Sequence, residues 1–256
     1  MSRITDAADV AMGEALFFVS AFFAEVAGAI AGFGSSTMLL PIALFFFDFR
    51  IALVLVAFSH LSGGVGRILF FRRSFDKRLL LVFGVPSVVL TVAGALLVSY
   101  VPQSWLKIVL GAFLIAYAVL SLWKQELSVP ASSRNAAVGG GLSGFFAGLI
   151  GTGGVLRGAF LTAFSLEKSV YIATAAVVSV AVDVTRIPVY VASGFLEPQF
   201  YITVLILAVL AIPGAFVGNR IVKHIPQSAF RKIVLAAIIL VSIKLVYDGF
   251  LQVFTG

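Results

Sequence analysis

The sequence predicts an all-α integral membrane protein built from two inverted-topology repeats, each with a broken, Gly-rich helical segment and three transmembrane helices. Three observations predict it. Of 256 residues, 61% are apolar and 11% charged, against roughly half and a quarter in soluble domains. Two apolar segments are too long for one helix and are interrupted by clusters of small residues. Words of sequence recur at a near-constant offset while the basic loops change places. Residues 1–256 read as one polytopic membrane domain, with a first inverted repeat over 14–124 and a second over 136–252.

A hydrocarbon core takes about 20 residues per helical span, so the chain has room for at most about eight full crossings. Apolar runs fall at 14–47, 51–71, 79–100, 105–123, 136–164, 169–193, 201–222 and 230–252. The opening MSRITDAADVAMGE is acidic and lacks the basic stretch of a cleaved signal, so the first run is expected to stay in the mature chain. Run 14–47 carries Gly28, Gly32, Gly34, Ser35 and Ser36 at its interruption, and run 136–164 carries Gly148, Gly151, Thr152, Gly153 and Gly154. Each is predicted to be a helix, a break and a second helix. Non-helical backbone at membrane depth persists only where protein or a water-filled space satisfies it, so the breaks point into the bundle. Close helix packing is the other reading of these glycines. Pro41, Pro86, Pro188 and Pro213 read as tolerated kinks, and Trp105 and Trp123 as interface anchors flanking their segment.

The repeat is visible in AGALLVSYVPQS at 93–104 and VGNRIVKHIPQS at 217–228, and in KIVL at 107–110 and 232–235. The breaks match at an offset of 117, placing Gly34 over Gly151, and Arg67 falls over Arg186 at an offset of 119. Arg72, Arg73, Lys77 and Arg78 follow the second run, whereas the equivalent GFLEPQF carries only Glu197; one loop later Arg220, Lys223, Arg231 and Lys232 stand against Lys107 alone. Positive charge marks the cytoplasmic side, so the copies are inverted and both termini are expected outside. Parity is the same whether each broken segment is re-entrant or makes two short crossings. The net charge of +7 is read as topology, not as a nucleic-acid surface.

Chemistry narrows the function. With no Cys there is no disulfide, thiolate metal site or cysteine nucleophile, and only two His are present. No hydrolase, zincin or nucleotide-loop motif appears, so neither an enzyme nor a cofactor or metal is expected. Inverted repeats with interrupted helices are the build of secondary transporters, which bind substrate at the breaks. Ionisable residues inside apolar segments count as functional candidates. They are Glu25, His60, Arg67, Arg157, Asp183 and Arg186. His60, Gly64 and Arg67 share one helical face, and the offset of 119 maps them onto Ser179, Asp183 and Arg186.

Each candidate has a plainer reading. Arg67, near a segment end, can snorkel to the interface, and Arg186 can pair with Asp183 three residues before it. His60 and Asp183 serve either a structural role, with His60 bonded to a carbonyl at the Ser62–Gly64 bend, or a proton relay coupled to transport. Arg157 is the sharpest residue. It follows GTGG by three positions, where a helix start and a guanidinium fork together suit an oxyanion. Its plainer reading is a structural pair with Glu25 or Asp183.

Taken together, GAIAGFGSSTMLLP, GLIGTGG, IATAAVVSVAVDVTR, AIPGAFVGNRIVKHIP and KIVLAAIILVSIKL resemble the sulfite exporter TauE/SafE family of membrane permeases, over about 14–246. The resemblance implies inverted-repeat permeases that export sulfite, sulfonates or related small anions. It also implies a Pro several residues after each break. Pro41 fits the first copy, while Arg157 and Gly158 stand in the matching stretch of the second.

The expectation is a secondary transporter in the cytoplasmic (inner) membrane, moving a small sulfur oxyanion such as sulfite or a short organosulfonate. Gly34, Ser35, Ser36, Thr37, Gly151, Thr152, Gly153, Gly154 and Arg157 are the expected binding residues. His60, Asp183, Arg67, Arg186 and Glu25 stand behind them for coupling or support. The alternatives are an anion channel and, from a different class, a membrane scaffold subunit or enzyme. Partners are the anion and the lipid bilayer; a homo-oligomer is compatible with the sequence.

Overall fold

Hydropathy sets where helices run, and the computed structural model places them close to those limits, describing residues 7–31, 34–70, 75–123, 130–221 and 227–255. Arg72, Arg73, Lys223 and His224 lie outside the described residues, as do Gly32, both extreme termini and the side chains of Arg231 and Lys232. Every regular element among the described residues is helical. Run 14–47 becomes α1 (Ala7–Ala31) and α2 (Ser36–Ala43), and run 136–164 becomes α7 (Ser133–Ile150) and α8 (Gly154–Thr162). The helix–break–helix reading therefore stands as geometry. Helix α1 starts seven residues before the apolar run, at Ala7, because the Ala-rich stretch ahead of it is a good helix former although too polar to mark a span.

Between the broken segments lie α3 (Phe49–Phe70), a continuous helix over Lys77–Leu97 and α6 (Gln103–Trp123). The continuous helix comprises α4 (Lys77–Leu79), a π-helical turn at Leu80–Gly84 and α5 (Val85–Leu97). The π turn runs up to Pro86, which has no N–H to return to the preceding turn. The second half repeats the order as α9 (Lys168–Ala192), α10 (Tyr201–Ile221) and α11 (Gln227–Thr255). Among the described residues five helices are long and apolar enough to cross a membrane: Phe49–Leu69, Lys77–Leu97, Gln103–Trp123, Ser169–Ala192 and Pro198–Gly218. Trp105 and Trp123 are exposed 18 residues apart at the two ends of α6, about 27 Å by helix rise, close to the thickness of the hydrocarbon core. By contrast α2 and α8, with 8 and 9 residues, reach only about 12–14 Å.

Packing crosses between the halves. Helix α5 lies along α7 and α10 along α1, while α3 packs on α9 and α10 and α9 on α5. Exchanging α1 with α7, α3 with α9 and α5 with α10 turns each of these contacts into another of the set. Small residues allow the closest approach: Gly140, Gly144 and Gly148 of α7 face the backbone of Phe83, Ser87 and Thr91, leaving no room for a Cβ. The Thr91 hydroxyl bridges the contact at 3.0 Å from the Gly144 carbonyl.

Helices α6 and α11 run antiparallel, as do α3 and α9. Gly111 of α6 lies against Ser242 and Val246 of α11, whereas Gly249 lies against Ser104 and Ile108. In the same sense His60 of α3 meets Asp183 of α9, and Gly64, further along, meets Val180. Large side chains such as Val85, Val89, Ile202, Leu205 and Val209 stay exposed on the outer faces of α5 and α10, as lipid contact requires.

Candidate functional site

Both interruptions turn on a glycine in the left-handed region, Gly34 at φ 89° and Gly151 at φ 73°, the same position of the two breaks. An L side chain is strained there. After the second turn the chain folds back along itself. The Ser143 hydroxyl donates to the Gly153 carbonyl at 2.8 Å, and Phe160 of α8 covers Gly139 of α7. The first break folds back likewise, with Gly28 against the backbone of Gly34 and Ser35. Gly28 and Gly148 are thus packing glycines, and Gly34 and Gly151 turn glycines.

The two breaks touch. Thr37 and Thr152 share a hydroxyl–hydroxyl hydrogen bond of 2.7 Å, and both are fully buried. Neither half-helix has a side-chain cap at its N-cap residue, Ser35 for α2 and Gly153 for α8. The first N–H groups of a helix have no acceptor within it, so those of Ser36, Thr37, Gly154 and Val155 carry the positive ends of two helix dipoles.

Around this junction are four buried charged side chains, Glu25, Arg157, Asp183 and Arg186, the partly buried Arg67 and one imidazole. On α1, Glu25 Oε1 accepts the Ser35 hydroxyl at 2.5 Å and the Ser59 hydroxyl at 3.3 Å. Its Oε2 has no hydrogen bond among the described residues and lies 3.9 Å from Arg67 Nη1. Arg67 therefore turns inward to Glu25 and does not snorkel, because a buried carboxylate is the stronger partner. On α9, Asp183 Oδ1 accepts from Arg186 Nε and Nη2 at 2.9 and 2.8 Å, and Oδ2 lies 2.7 Å from His60 Nδ1. His60 thus binds a carboxylate across the halves and not the carbonyls of its own bend. The intrahelical Asp183–Arg186 pair is present, and Arg186 does more. Its Nη1 donates to the carbonyls of Ala147 and Gly151 at 2.7 and 3.0 Å, and the Tyr190 hydroxyl donates to Gly148. These two side chains satisfy the carbonyl end of α7, which a helix broken inside a membrane leaves without water.

Arg157 differs from the others. It lies on α8, 6% exposed, and among the described residues it has no hydrogen-bond or ion-pair partner. Glu25 and Asp183, the two carboxylates open to it by sequence, are held by Arg67 and Arg186 instead. Its Nη2 lies 3.9 Å, and His60 Nε2 3.0 Å, from the point a Cβ on Gly34 would occupy. With His60 neutral, three guanidiniums face two carboxylates, leaving one positive charge at the junction of two helix starts. Such a place favours a small anion.

The structure links Glu25 with Ser35 and Arg67, His60 with Asp183 and Arg186, and Thr37 with Thr152, and sets His60 and Arg157 beside Gly34. It adds two that sequence reasoning did not reach. Tyr190 sits four residues beyond Arg186 on the same helical face, and that spacing was its signal; Ser59 had none.

The site draws on both breaks, and a family profile spans the same stretch. The sulfite exporter TauE/SafE profile matches residues 17–245, from within α1 to within α11. The chain belongs to the sulfite exporter TauE/SafE family. A search of curated proteins finds no match. As a TauE/SafE chain it is a multi-pass membrane protein of a permease family, and the match agrees with the motif resemblance over about 14–246. All the site residues described above fall inside the matched segment.

Proposed function

We propose that this TauE/SafE protein is a secondary active exporter of a small sulfur-containing oxyanion, such as sulfite or a short organosulfonate, across the cytoplasmic membrane. The observation that carries the reading is Arg157, a buried cation without a partner among the described residues, beside two uncapped helix starts. A buried charge left unpaired is costly, and an anionic ligand offsets that cost while the guanidinium fork orients it. Backbone N–H groups of α2 and α8, with the hydroxyls of Ser36, Thr37 and Thr152, replace the hydration of the anion. The Ser35 hydroxyl points to Glu25, so Ser35 contributes through its backbone or after turning away.

The transport cycle follows from two inverted repeats whose broken segments are re-entrant hairpins. Antiparallel packing of α3 on α9 and α6 on α11 supports the inversion, and the shortness of α2 and α8 supports the hairpins. A twofold axis in the membrane plane lets the halves exchange conformations around a fixed central site.

The test is flux into proteoliposomes of purified protein with a panel of sulfur oxyanions. Accumulation of sulfite or a sulfonate against its gradient is the expected result. Purely downhill flux would mean a channel, and no flux of any sulfur oxyanion would exclude the substrate class.

A further inference from the structure

His60 is the imidazole that faces the junction directly, and the structure fixes which of its nitrogens does so. We propose that His60 takes up one proton at Nε2 as the anion binds, so that anion and proton occupy the site together; the inference rests on the anion site proposed above.

Asp183 Oδ1 receives two guanidinium N–H groups from Arg186, and Oδ2 meets His60 Nδ1 at 2.7 Å. An ionised carboxylate only accepts, so Nδ1 carries the hydrogen of that bond, and in the neutral ring Nε2 is the lone pair. That lone pair looks onto Gly34, where the missing side chain leaves it uncovered, and Arg157 Nη2 approaches the same point. A lone pair there repels an oxyanion. One proton from water on Nε2 converts the repulsion into a charge-assisted donor and leaves Asp183 paired with an imidazolium. An O–H bond of the solvent donor breaks as the N–H bond forms, its conjugate base stays in the bulk, and the proton returns there when the anion departs. In the empty site Ser179 Oγ, 3.5 Å from Nε2, can occupy the lone pair.

Among the described residues the charged groups around His60 are accounted for on each element. Asp183 and Arg186 on α9 hold one another, and Arg67 on α3 faces Glu25 on α1, which also takes Ser35 and Ser59. Arg157 on α8 remains. The two groups not committed to an opposite charge in their own half are therefore Arg157 and His60 Nε2, and both point at one place.

Methanesulfonate is the useful probe because it has no titration of its own near neutral pH. Calorimetry of the purified full chain in buffers of different ionisation enthalpy should register about one proton taken up per methanesulfonate bound. By linkage its affinity should fall about tenfold per pH unit on the alkaline side of the His60 titration. The chain has two His, so His224→Gln leaves His60 as the sole ring in isotope-labelled NMR. Its spectrum should change from the Nδ1–H tautomer to imidazolium on adding the anion. His60→Gln should bind without proton uptake and without the pH dependence. Binding to wild type with no proton uptake and an unchanged ring would overturn the coupling alone, as would full uptake by His60→Gln. Failure of both methanesulfonate and sulfite to bind would overturn the anion site and the coupling together. Should His60→Gln not fold, calorimetry and NMR on the native ring still decide.

Discussion

Arg157 and Gly34 come from different halves of the chain and meet at one point, so substitutions at either test the same site from two directions. Arg157→Ala removes charge and fork together and should cost about 2–5 kcal/mol of anion binding, roughly thirtyfold to a few thousandfold in affinity. Arg157→Lys keeps the charge and loses the fork, and should fall between the two. Calorimetry on folded, monodisperse protein measures both, and wild-type affinity in Arg157→Ala would remove the residue from the site. Gly34→Ala places a methyl in a φ of 89° and 3.0 Å from His60 Nε2. The backbone strain is about 1–2 kcal/mol, and anion affinity should drop more than thermal stability does. Arg157 was legible in the sequence because an Arg within an apolar run has few plain explanations. The Ser35–Glu25 bond was not, because its partners sit on different helices and no spacing along the chain encodes their meeting; the place of Tyr190 beyond Arg186 was a signal, but its carbonyl partner on α7 was not.

At the scale of elements, hydropathy located the spans, and the clusters of small residues located both breaks. Length and apolarity say nothing of direction after a break, so the folding back of α8 along α7 had to come from contacts such as Ser143 with Gly153. The π turn was equally hidden. Pro86 announces an irregularity, but whether the helix kinks or widens depends on what packs beside it. Phe83, within that turn, lies against Gly140. The same interface gives a stability prediction. Gly144→Val puts a branched side chain against the Ser87 carbonyl and should destabilise the protein by about 1–3 kcal/mol or more, as overpacking does. A lowered thermal midpoint with the helix content of the folded fraction unchanged is the expected observation. The exposed Val89→Ala on α5 should leave the midpoint nearly where it was.

For the whole molecule the orientation rests on the basic residues beside Lys77 and Arg220 and their absence near Glu197. Cysteines introduced at Ser2 and Thr255 in a chain with none of its own should both react with an impermeant reagent from outside. Labelling of both only after permeabilisation would reverse the orientation. Matched words are the sequence's argument for a repeat, and swapped charge its argument for an inversion. What sequence alone did not reveal is that the two copies are interleaved, since matched words say that units exist and not which unit touches which. Helix α5 of the first copy has its close partner α7 in the second, and α1 and α3 have theirs in α10. That arrangement bears on how the protein is made. When the ribosome has delivered only the chain up to α6, the groove that will receive Gly140, Gly144 and Gly148 faces lipid tails, and Glu25 lacks the cover of Gly214. The early product is therefore expected to be an open assembly, cut faster by an added protease than the full chain. For the same reason the two copies, translated as separate polypeptides in one cell, should find each other and complete the fold.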